Sequence, residues 1–420
     1  MQPQRGTNLP RVKAYNEAFV LDFVRLRGRV SRRKIADASG LTFQTVSNIV
    51  ERLLEAELLE EELGASGGRG RQSRLVWLNE DAAYAVGIQL SHSALTVAVT
   101  NLAAKVLAHQ HMPYASSEGP SAILSSIRDR VHDLTTGAEV LLERVLGVGM
   151  GVPGPIDLDA GRLRNVPNFA GWEGFPVQAE MERLLGRSVL IDRNATAAAL
   201  GEQWSGVAKE TSDFIYIYVG EGVGVGIVAG REAYRGATGN SGDVAHICVK
   251  SGGVICHCGR VGCLAMYATV HGVEREIRRV LLETEHLQGR EIPRGEGFSE
   301  SLIDDPRLPE SISVGVIEAA GTYLGQIVSR LVGTLDPELV VLGGPAMSRL
   351  GEPYKRIVEQ LLTYDLTPSR TVPRVELSTG GELAGAIGAA TLVLHDLFAF
   401  GPERLSLNQS PANDRIIQSF

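Results

Sequence analysis

The sequence predicts an α/β protein in which a small basic helix-turn-helix head precedes a larger acidic body. Glycine is abundant, with 48 residues in a chain of 420, while aromatic residues make up only 5%. This pairing is typical of α/β proteins with many tight turns. From about residue 83, apolar runs that end in glycine turns alternate with helical patterns. Residues 1–50 contain nine Lys/Arg and three Asp/Glu, although the net charge of the whole chain is −8, which favours a nucleic-acid-binding module joined to another unit.

The first 80 residues are predicted to form a winged helix-turn-helix domain. A first helix is expected to end at Gly28, and a second, short helix is expected to begin after Ser31 and end at Gly40. Thr42 is expected to cap a third helix with the sequence FQTVSNIVERLLEAELL. Two short strands around a Gly/Arg tip follow, and they form the predicted wing. The basic charge, the turn at Gly40 and the predicted wing together favour DNA binding. The alternative is a three-helix module that binds other proteins.

Polar side chains on the third helix and arginines at the wing tip are the predicted DNA contacts. A recognition helix contacts base edges with its N-terminal residues. Asn and Gln suit adenine, and Ser and Thr can contact several bases. Arginines at the tip are placed to contact phosphates or the minor groove. The candidate DNA-binding residues are Gln44, Thr45, Ser47, Asn48, Arg69 and Arg71.

A cysteine-rich segment of the body predicts a zinc site. Cys256, Cys258 and Cys263 form a C-x-C-x4-C pattern, and His246 lies ten residues before it. Three thiolates and one imidazole suit a closed, tetrahedral zinc site with a structural role. Cys248 is an alternative fourth ligand, because it lies two residues from His246 on the same face of a predicted strand. The other interpretation, three buried free cysteines, is disfavoured because three of the four cysteines fall within eight residues.

Several motifs of the body occur in the order typical of one protein family. They are GVPGPIDLDAGRLRNVPNFAGW, AALGEQWSG, GVGVGIVAGREAYRGATGNSGDVAH, CHCGRVGC and DPELVVLGG. On these motifs, residues 10–395 resemble the ROK family (repressors, open reading frames and sugar kinases). The winged head makes the chain similar to the family's transcriptional regulators, such as the xylose, N-acetylglucosamine and glucose-system repressors.

The resemblance implies a two-lobed, actin-like sugar-kinase body, with the sugar and zinc sites near the lobe interface. The expected organisation has four parts. They are a winged head (1–80), a first lobe (81–195) completed by a C-terminal helix (382–396), a second lobe with the zinc loop and a dimerisation surface (196–381), and a tail (397–420).

The family's catalytic pattern is altered at two positions. Family kinases carry D-x-G-G-T in the first hairpin, where the Asp organises Mg²⁺, whereas this chain has QLSHS with Gln89 in the Asp position. The family's catalytic Asp aligns with Asn194, and an amide cannot act as the general base for an attacking hydroxyl. Asp192 lies about 6–7 Å further back along the predicted strand, too far for direct proton transfer. The resemblance and these departures together imply a body without catalytic residues.

The family's sugar-binding residues are partly kept. Asn168 matches a sugar-binding Asn, and His246 matches the His of the E-x-G-H motif, in which Asp243 replaces the Glu. Ala265 stands where the family has another Glu. With Asn194, the predicted ligand-binding residues are Asn168, Asp243 and His246. The altered set implies a different sugar or sugar derivative, because polar groups built for one hydroxyl reject analogues that lack it.

These observations predict a sequence-specific transcriptional regulator, a repressor of carbohydrate-metabolism genes with a degenerate kinase body as its sensor. The expected partners are a double-stranded DNA operator, a sugar or sugar-derivative effector, and further copies of the chain in a homodimer or dimer of dimers. Structural Zn²⁺ is the expected cofactor. No signal peptide or membrane span is predicted, so a cytoplasmic protein is expected. The alternatives are an active ATP-dependent sugar kinase with a DNA-binding head, and a regulator whose body only dimerises.

Overall fold

The computed structural model shows an α/β protein with a small N-terminal head and two five-stranded sheets. It describes residues 9–63, 73–114, 118–164, 166, 169, 171–283, 302–304 and 309–398. Four of the predicted sites or segments lie wholly or mostly outside the described residues. These are Arg69, Arg71, Asn168 and the tail from residue 399 onward.

The head contains three helices and three short strands. They are α1 (Leu9–Arg27), β1 (Val30–Ser31), α2 (Arg32–Ser39), α3 (Phe43–Glu55), β2 (Leu59–Leu63) and β3 (Arg74–Leu78). The strands form an antiparallel sheet of order β1-β3-β2. The side-chain oxygens of Ser31 and Thr42 accept hydrogen bonds from the amides of Lys34 and Thr45, which caps α2 and α3. Gly40 ends α2 in the left-handed conformation, with φ 68°, so the predicted turn between these helices is confirmed.

Helix α3 is shorter than the sequence predicted. It ends at Glu55, and the chain then turns through Glu57, which has φ 55°. Leu59 already belongs to β2 and pairs with Leu78 of β3. The last apolar residues of the predicted helix therefore belong to the turn and to the first strand of the wing.

The first large sheet combines parallel and antiparallel strands. Its strands and helices are β4 (Tyr84–Leu90), β5 (Ala94–Asn101), β6 (Val106–Pro113), α4 (Pro120–Gly137), β7 (Val145–Val152), β8 (Ile156–Asp157), β9 (Arg162–Leu163), α5 (Val177–Leu185) and β10 (Val189–Arg193). The order is β10-β7-β4-β5-β6, with β8 and β9 as a separate pair. Parallel pairing places Asp192, Gly151 and Gln89 side by side near the carboxyl ends of β10, β7 and β4. This is the edge at which open α/β sheets bind ligands.

The second large sheet is built from the following half of the chain. Its elements are α6 (Asn194–Ser205), β11 (Phe214–Val219), β12 (Val223–Ala229), β13 (Glu232–Ala233), α7 (Ala265–Ala268), α8 (Val270–Glu283), α9 (Glu310–Leu335), β14 (Leu339–Gly343), α10 (Met347–Asp365) and β15 (Arg374–Leu377). The strand order is β13-β12-β11-β14-β15. The antiparallel β11–β12 hairpin carries the glycine-rich turn that follows β11.

The last helix, α11 (Ala384–Phe398), packs on the first sheet and beside α6. It approaches the sheet so closely that a Cβ atom at Gly87 would lie 1.9 Å from the carbonyl oxygen of Ala386. At Gly149, a Cβ atom would lie 1.7 Å from the carbonyl oxygen of Ala389. The small residues of this helix and of the sheet beneath it are therefore required by backbone packing.

Two helical segments are long and apolar enough, by length and composition alone, to cross a membrane. They are α9 and the segment Gly381–Phe398, a result that the sequence-based expectation of no such span did not anticipate. In the structure α9 contributes Leu324, Val328 and Val332 to the core of the second sheet, and α11 packs on the first sheet. Burial within the protein covers 61% of the apolar window of Gly381–Phe398 and 39% of that of α9.

One hydrophobic cluster spans the head and the body. It contains Val24 and Ile49 of the head together with Leu102, Trp204 and Phe398 of the body. Because buried apolar area is the main favourable term in folding, this cluster anchors α1 directly on the body. The boundary expected near residue 80 therefore runs through a shared core.

Candidate functional site

A cleft of about 750 Å³ lies between the two large sheets. Its walls are formed by the ends of β4, β7 and β10, the β11–β12 turn, the segment after β13, and the start of α8. The polar residues that line it include Ser91, His92, Arg193, Asn194, Glu221, Asn240, Asp243, His246, Thr269, His271 and Arg275. This size and this mixed lining suit a small polar ligand.

Asn194, the first residue of α6, is 8% exposed and lines the cleft. Its Nδ2 donates a hydrogen bond to the carbonyl oxygen of Leu90 at 3.0 Å, which fixes the orientation of the amide. Its Oδ1 is buried and has no hydrogen-bond partner among the described residues. Leaving a buried acceptor unsatisfied costs about 1–3 kcal/mol, so a ligand hydroxyl that donates to Oδ1 would recover that free energy.

Asp192 is 1% exposed and both of its oxygens have partners. Oδ1 accepts the amide N–H of Arg193 at 2.7 Å, and Oδ2 accepts Nε–H of Arg235 at 2.7 Å. This carboxylate is therefore part of a buried ion pair. Its geometry gives no route by which it could replace the base that Asn194 lacks.

Gln89 is 6% exposed and joins the two sheets. Its Nε2 donates to the hydroxyl oxygen of Tyr218 at 2.7 Å. Gly385 of α11 leaves room for the amide, since a Cβ atom there would lie 2.2 Å from Oε1 of Gln89. The position expected to hold a metal-organising carboxylate thus holds a neutral side chain with a structural hydrogen bond.

Glu221 bridges the turn between β4 and β5 and the turn between β11 and β12. Its Oε2 accepts the amide N–H of His92 at 2.7 Å, and its Oε1 accepts a hydrogen bond from the Ser93 hydroxyl. Burial alone would raise the pKa of Glu221, but the hydrogen bonds from His92 and Ser93 outweigh it and hold the pKa at about 2. A carboxylate that is ionised at neutral pH therefore occupies the space between the β4–β5 turn and the β11–β12 turn.

Asp243 and His246, for which ligand binding stays a prediction, both line the cleft. Asp243 is exposed on the wall of the cleft. Burial lowers the pKa of the neighbouring Arg193, and the charges of Asp243 and Asp192 oppose that shift. Asn240 exchanges two hydrogen bonds with the backbone of Ile156, at 2.8 and 2.9 Å, which fixes this wall to β8.

Several residues of the cleft were missed by sequence reasoning. Glu221 lies within a glycine-rich turn in which the sequence analysis assigned no role to a side chain. Asn240 had no motif of its own. His271 and Arg275 lie on α8, and an amphipathic helix pattern does not tell which of its edges borders a cleft.

The predicted metal ligands converge in the structure. One ligand atom from each of His246, Cys256, Cys258 and Cys263 lies within 4.8 Å of all the others. Sγ of Cys256 is 3.5 Å from Nδ1 of His246, and Sγ of Cys258 is 3.7 Å from Sγ of Cys263. Ligands in a zinc tetrahedron with ordinary bond lengths lie about 3.6–3.8 Å apart. The cluster therefore has the spacing of a four-ligand site that could hold a metal ion.

Position favours His246 over Cys248 as the fourth ligand. Among the described residues, the group that could hold a metal ion contains His246, whereas Cys248 is exposed and contributes a backbone bridge to Cys263. Gly262 allows this arrangement with φ 74°, and a Cβ atom there would lie 1.9 Å from the carbonyl oxygen of Lys250. A larger residue at this position would displace the loop that carries the ligands.

The exposed face of α3 presents Gln44 and Asn48 to solvent. The Nε2 of Gln44 donates to Oδ1 of Asn48 at 2.9 Å, so the two amides lie together near the N-terminus of the helix. Thr45 is half-buried, and its hydroxyl lies 2.8 Å from that of Thr42. These three side chains form the polar surface that the sequence predicted on this helix.

Ser47 differs from the prediction. It is 8% exposed, because at helical spacing it lies beside Val50 on the edge of the buried apolar stripe. Its hydroxyl therefore does not share the exposed face of Gln44 and Asn48, which corrects the placement predicted for Ser47.

Comparisons with known proteins match this organisation. The ROK family model matches residues 85–396. A xylose repressor from Caldicellulosiruptor bescii is 27% identical over 401 residues, which cover 93% of this chain and 98% of that protein. A glucokinase from Halalkalibacterium halodurans is 28% identical over 314 residues, which cover 73% of this chain and 94% of the enzyme.

Among solved structures, a ROK family transcriptional regulator described as a homologue of the E. coli MLC protein has a TM-score of 0.75 at 20% identity. The match covers 97% of this chain and 99% of that one. The two regulators thus match head and body together, and the family model covers the cleft and the metal cluster. On this evidence, the chain belongs to the ROK family.

Proposed function

We propose that this protein is a sequence-specific DNA-binding transcriptional regulator, a repressor of carbohydrate-metabolism genes, whose body binds a sugar or sugar derivative without phosphorylating it. The observation that carries the proposal is Asn194. An amide occupies the cleft position where a kinase needs a base, and its buried Oδ1 can accept a ligand hydroxyl. Bound effector shifts DNA affinity by favouring one arrangement of the protein over another.

A sugar is the ligand class that this lining fits. Hydroxyls can donate to Oδ1 of Asn194 and to the exposed carboxylate of Asp243, and the ring of His246 offers a further polar contact. Asn168 is proposed to complete the set, on the strength of its motif. The xylose repressor of C. bescii, similar over almost its whole length, supports a carbohydrate effector.

Phosphoryl transfer is disfavoured by three side chains. Asn194 cannot accept the proton of an attacking hydroxyl, and Gln89 supplies no charge to organise Mg²⁺. Glu221 places a negative charge between the two turns where phosphate oxygens would need donors. A second anion in this space would meet like-charge repulsion in a partly dehydrated site.

We propose that the cysteine cluster binds one structural Zn²⁺. Three sulfur ligands and one imidazole nitrogen at tetrahedral spacing fit zinc better than Mg²⁺ or Ca²⁺, which prefer oxygen. All four ligands come from the chain, so no coordination position remains for a reacting molecule. Holding His246 in place would also shape the adjacent wall of the sugar cleft.

On the DNA side, we propose that α3 enters the major groove. Gln44 and Asn48 would read base edges, with Thr45 beside them, while Arg69 and Arg71 would contact phosphates or the minor groove. A symmetric operator would then require a homodimer or a dimer of dimers. We expect a protein with this role to act in the cytoplasm.

The DNA-binding part is tested with duplexes selected from a random pool by the wild-type protein. Gln44→Ala and Asn48→Ala should each weaken binding to the selected duplex by about 1–3 kcal/mol. Binding to an unrelated duplex should change much less, as measured by fluorescence anisotropy. Ser47→Ala is the matched control and should leave the ratio of the two affinities unchanged. Equal losses on both duplexes would contradict base reading by these amides.

The sensor part is tested by thermal shift with D-xylose, D-glucose and N-acetyl-D-glucosamine, followed by DNA binding with each sugar that stabilises the protein. We expect at least one sugar to raise the unfolding midpoint and change the affinity for the selected duplex. ADP release from ATP, Mg²⁺ and the same sugar should stay at background. Sugar-dependent ADP release would instead support the kinase alternative, and stabilisation by none of the sugars would favour a body that only dimerises.

A further inference from the structure

We propose that helix α6 transmits the state of the sugar cleft to the DNA-binding head, and that the contact between Trp204 and Arg25 is where the head receives it. The inference deepens the proposed function and rests on it. The structural basis is that one helix has its first residue in the cleft and its last full turn against α1 of the head.

The two ends of α6 carry different contacts. At its start, Asn194 lines the cleft, and its buried Oδ1 has no hydrogen-bond partner among the described residues. Near its end, Trp204 is 5% exposed and belongs to the hydrophobic cluster that joins head and body. Twelve residues of α-helix span about 18 Å at 1.5 Å per residue. A ligand that pulls on Asn194 therefore acts on the same rigid element that supports the head.

The surroundings of α6 favour movement as a unit over bending. Every residue from Asn194 to Trp204 is buried. On one side, a Cβ atom at Gly201 would lie 2.9 Å from Cα of Gly388 in α11. On another side, a Cβ atom at Gly226 of β12 would lie 2.2 Å from the carbonyl oxygen of Ala195. With backbones this close, a displacement at one end of the helix is carried to the other.

Arg25 is the receiving residue in the head. Its guanidinium lies 4.1 Å from the centroid of the Trp204 ring and also donates a hydrogen bond to the Trp204 carbonyl oxygen. The same group donates to Oδ1 of Asp22 through Nε at 3.1 Å and through Nη2 at 2.5 Å. The side chain of Arg25 is 6% exposed, so these contacts are made in a desolvated place where charge interactions are strong.

Two further contacts connect this point to both sheets of the body. Nε1 of Trp204 donates to the carbonyl oxygen of Leu102, just after β5, at 2.9 Å. Oδ2 of Asp22 lies 3.6 Å from Nη2 of Arg231, in the turn between β12 and β13. Head, first sheet, second sheet and α6 therefore meet around one buried arginine. A change in the relative position of the two sheets would therefore displace α1 through these contacts.

The test is a double-mutant cycle on DNA affinity that requires no identified effector. Asn194→Ala alters the cleft end of α6, Arg25→Met alters the head end, and each is measured singly and combined on the duplex selected by the wild-type protein. Sites about 18 Å apart without shared partners normally add. Coupling through α6 predicts that the affinity change of the double variant departs from the product of the single changes by about threefold or more.

Arg27→Met is the matched control. Arg27 lies on the same helix and also pairs with the body, through Glu210 at 3.4 Å, but both side chains are exposed. Its combination with Asn194→Ala should give the simple product of the two effects. Arg25→Lys is a second variant that keeps the charge beside Asp22 and loses the planar stacking on Trp204. It keeps the cycle measurable if the methionine variant does not fold.

Two results separate this inference from the proposed function. A wild-type protein that selects no duplex, or whose DNA affinity responds to none of the sugars, would contradict the proposed function itself. The role of α6 alone would be overturned by a different set of results. In that case a sugar changes the DNA affinity of the wild-type protein and of Arg25→Lys equally, and the effects of the Arg25 and Asn194 substitutions on DNA affinity multiply without coupling. We expect Arg25→Lys to bind sugar within about twofold of wild type and to lose most of the sugar-induced change in DNA affinity.

Discussion

Two regions bordering the cleft differ in what they have kept from a sugar-kinase body. In residues 246–263, here called the metal loop, four side chains come together that could hold a metal ion. The catalytic corner, defined by Gln89, Asp192 and Asn194, carries neutral amides at the two positions where the motifs of the family kinases lead us to expect carboxylates. Its remaining carboxylate is neutralised by Arg235.

The difference follows from what each region contributes to the fold. The metal loop has little apolar core of its own, and Ile255 is 74% exposed, so metal ligation is the interaction that can hold it in place. The catalytic corner lies on a buried sheet edge that remains stable without catalysis. There Gln89 and Asn194 gain hydrogen bonds to Tyr218 and Leu90. We therefore expect the corner to tolerate an amide without loss of structure, whereas removal of a proposed metal ligand should unfold the loop.

The largest effect is expected from breaking the metal loop. Cys263→Ser removes a buried ligand, because a serine hydroxyl is a poor replacement for a thiolate on zinc. Structural zinc contributes about 10–16 kcal/mol in small domains, so we expect a loss of more than about 4 kcal/mol in the free energy of unfolding. Metal content per chain and denaturant unfolding measure the two consequences.

Cys248→Ser is the control for that prediction. Cys248 is exposed and lies outside the metal-binding group of the described residues. This variant should keep about one zinc per chain and nearly wild-type stability. Loss of metal from Cys248→Ser, or full retention by Cys263→Ser, would show that the ligand set is wrong.

The next largest effect is expected at the ion pair of the catalytic corner. Arg235→Met leaves the carboxylate of Asp192, which is 1% exposed, without its charged partner. Removing one partner of a buried pair costs about 3–5 kcal/mol, and the partial exposure of Arg235 places the expected loss at the lower end of this range. Arg183→Met, which breaks an exposed pair with Glu180, should cost less than about 1 kcal/mol. Similar losses for both variants in urea unfolding would contradict a structural role for Asp192.

A pH-dependent effect is expected at Glu221. Its pKa is about 2 in the folded protein against an ordinary value of 4.5. A depressed pKa means that the ionised group stabilises the fold above pH 4.5 and that this stability is lost as the pH falls toward 2. At pH 7, Glu221→Gln should lower the free energy of unfolding by about 2–3 kcal/mol. The gap from wild type should close on acidification, and Ser93→Ala should remove part of it. A gap that does not depend on pH would exclude this origin.

The fold was predictable where local signals agreed with tertiary packing. The caps at Ser31 and Thr42, the turn at Gly40 and the cysteine cluster each combine residue types that permit few structures. Ser47 was predicted on the exposed face but is buried. It lies at the edge of the apolar stripe, where helical spacing alone does not decide whether a residue is buried or exposed. The length of α3 was overestimated because apolar residues in a turn and in a strand can continue a helical pattern by chance.

The contacts that join distant parts of the chain were not predictable. Glu221 receives its hydrogen bonds from residues about 130 positions earlier, and Arg25 lies 179 positions from the carbonyl oxygen that it binds. Neither the spacing nor the composition of the sequence specifies which carboxylate will accept hydrogen bonds from a turn of the other sheet. The replacement of Asp by Asn194 could be read from the motif, whereas the pairing of Asp192 with Arg235, which leaves no substitute base, required the structure.

The smallest effect on stability is expected from restoring the lost carboxylate. Asn194→Asp removes the Nδ2 donor to Leu90 and places a charge beside that carbonyl oxygen, so the free energy of unfolding should fall by about 1–3 kcal/mol. Sugar-dependent ADP release should remain at background, because Gln89 and Glu221 still leave Mg²⁺ and phosphate without their partners. Asn194→Ala is the matched control, since it loses the same donor without adding a carboxylate. Sugar-dependent ADP release by Asn194→Asp but not by Asn194→Ala would show that a single substitution restores catalysis. The catalytic corner would then still hold the other groups that phosphoryl transfer needs, and it would differ less from the metal loop than we propose.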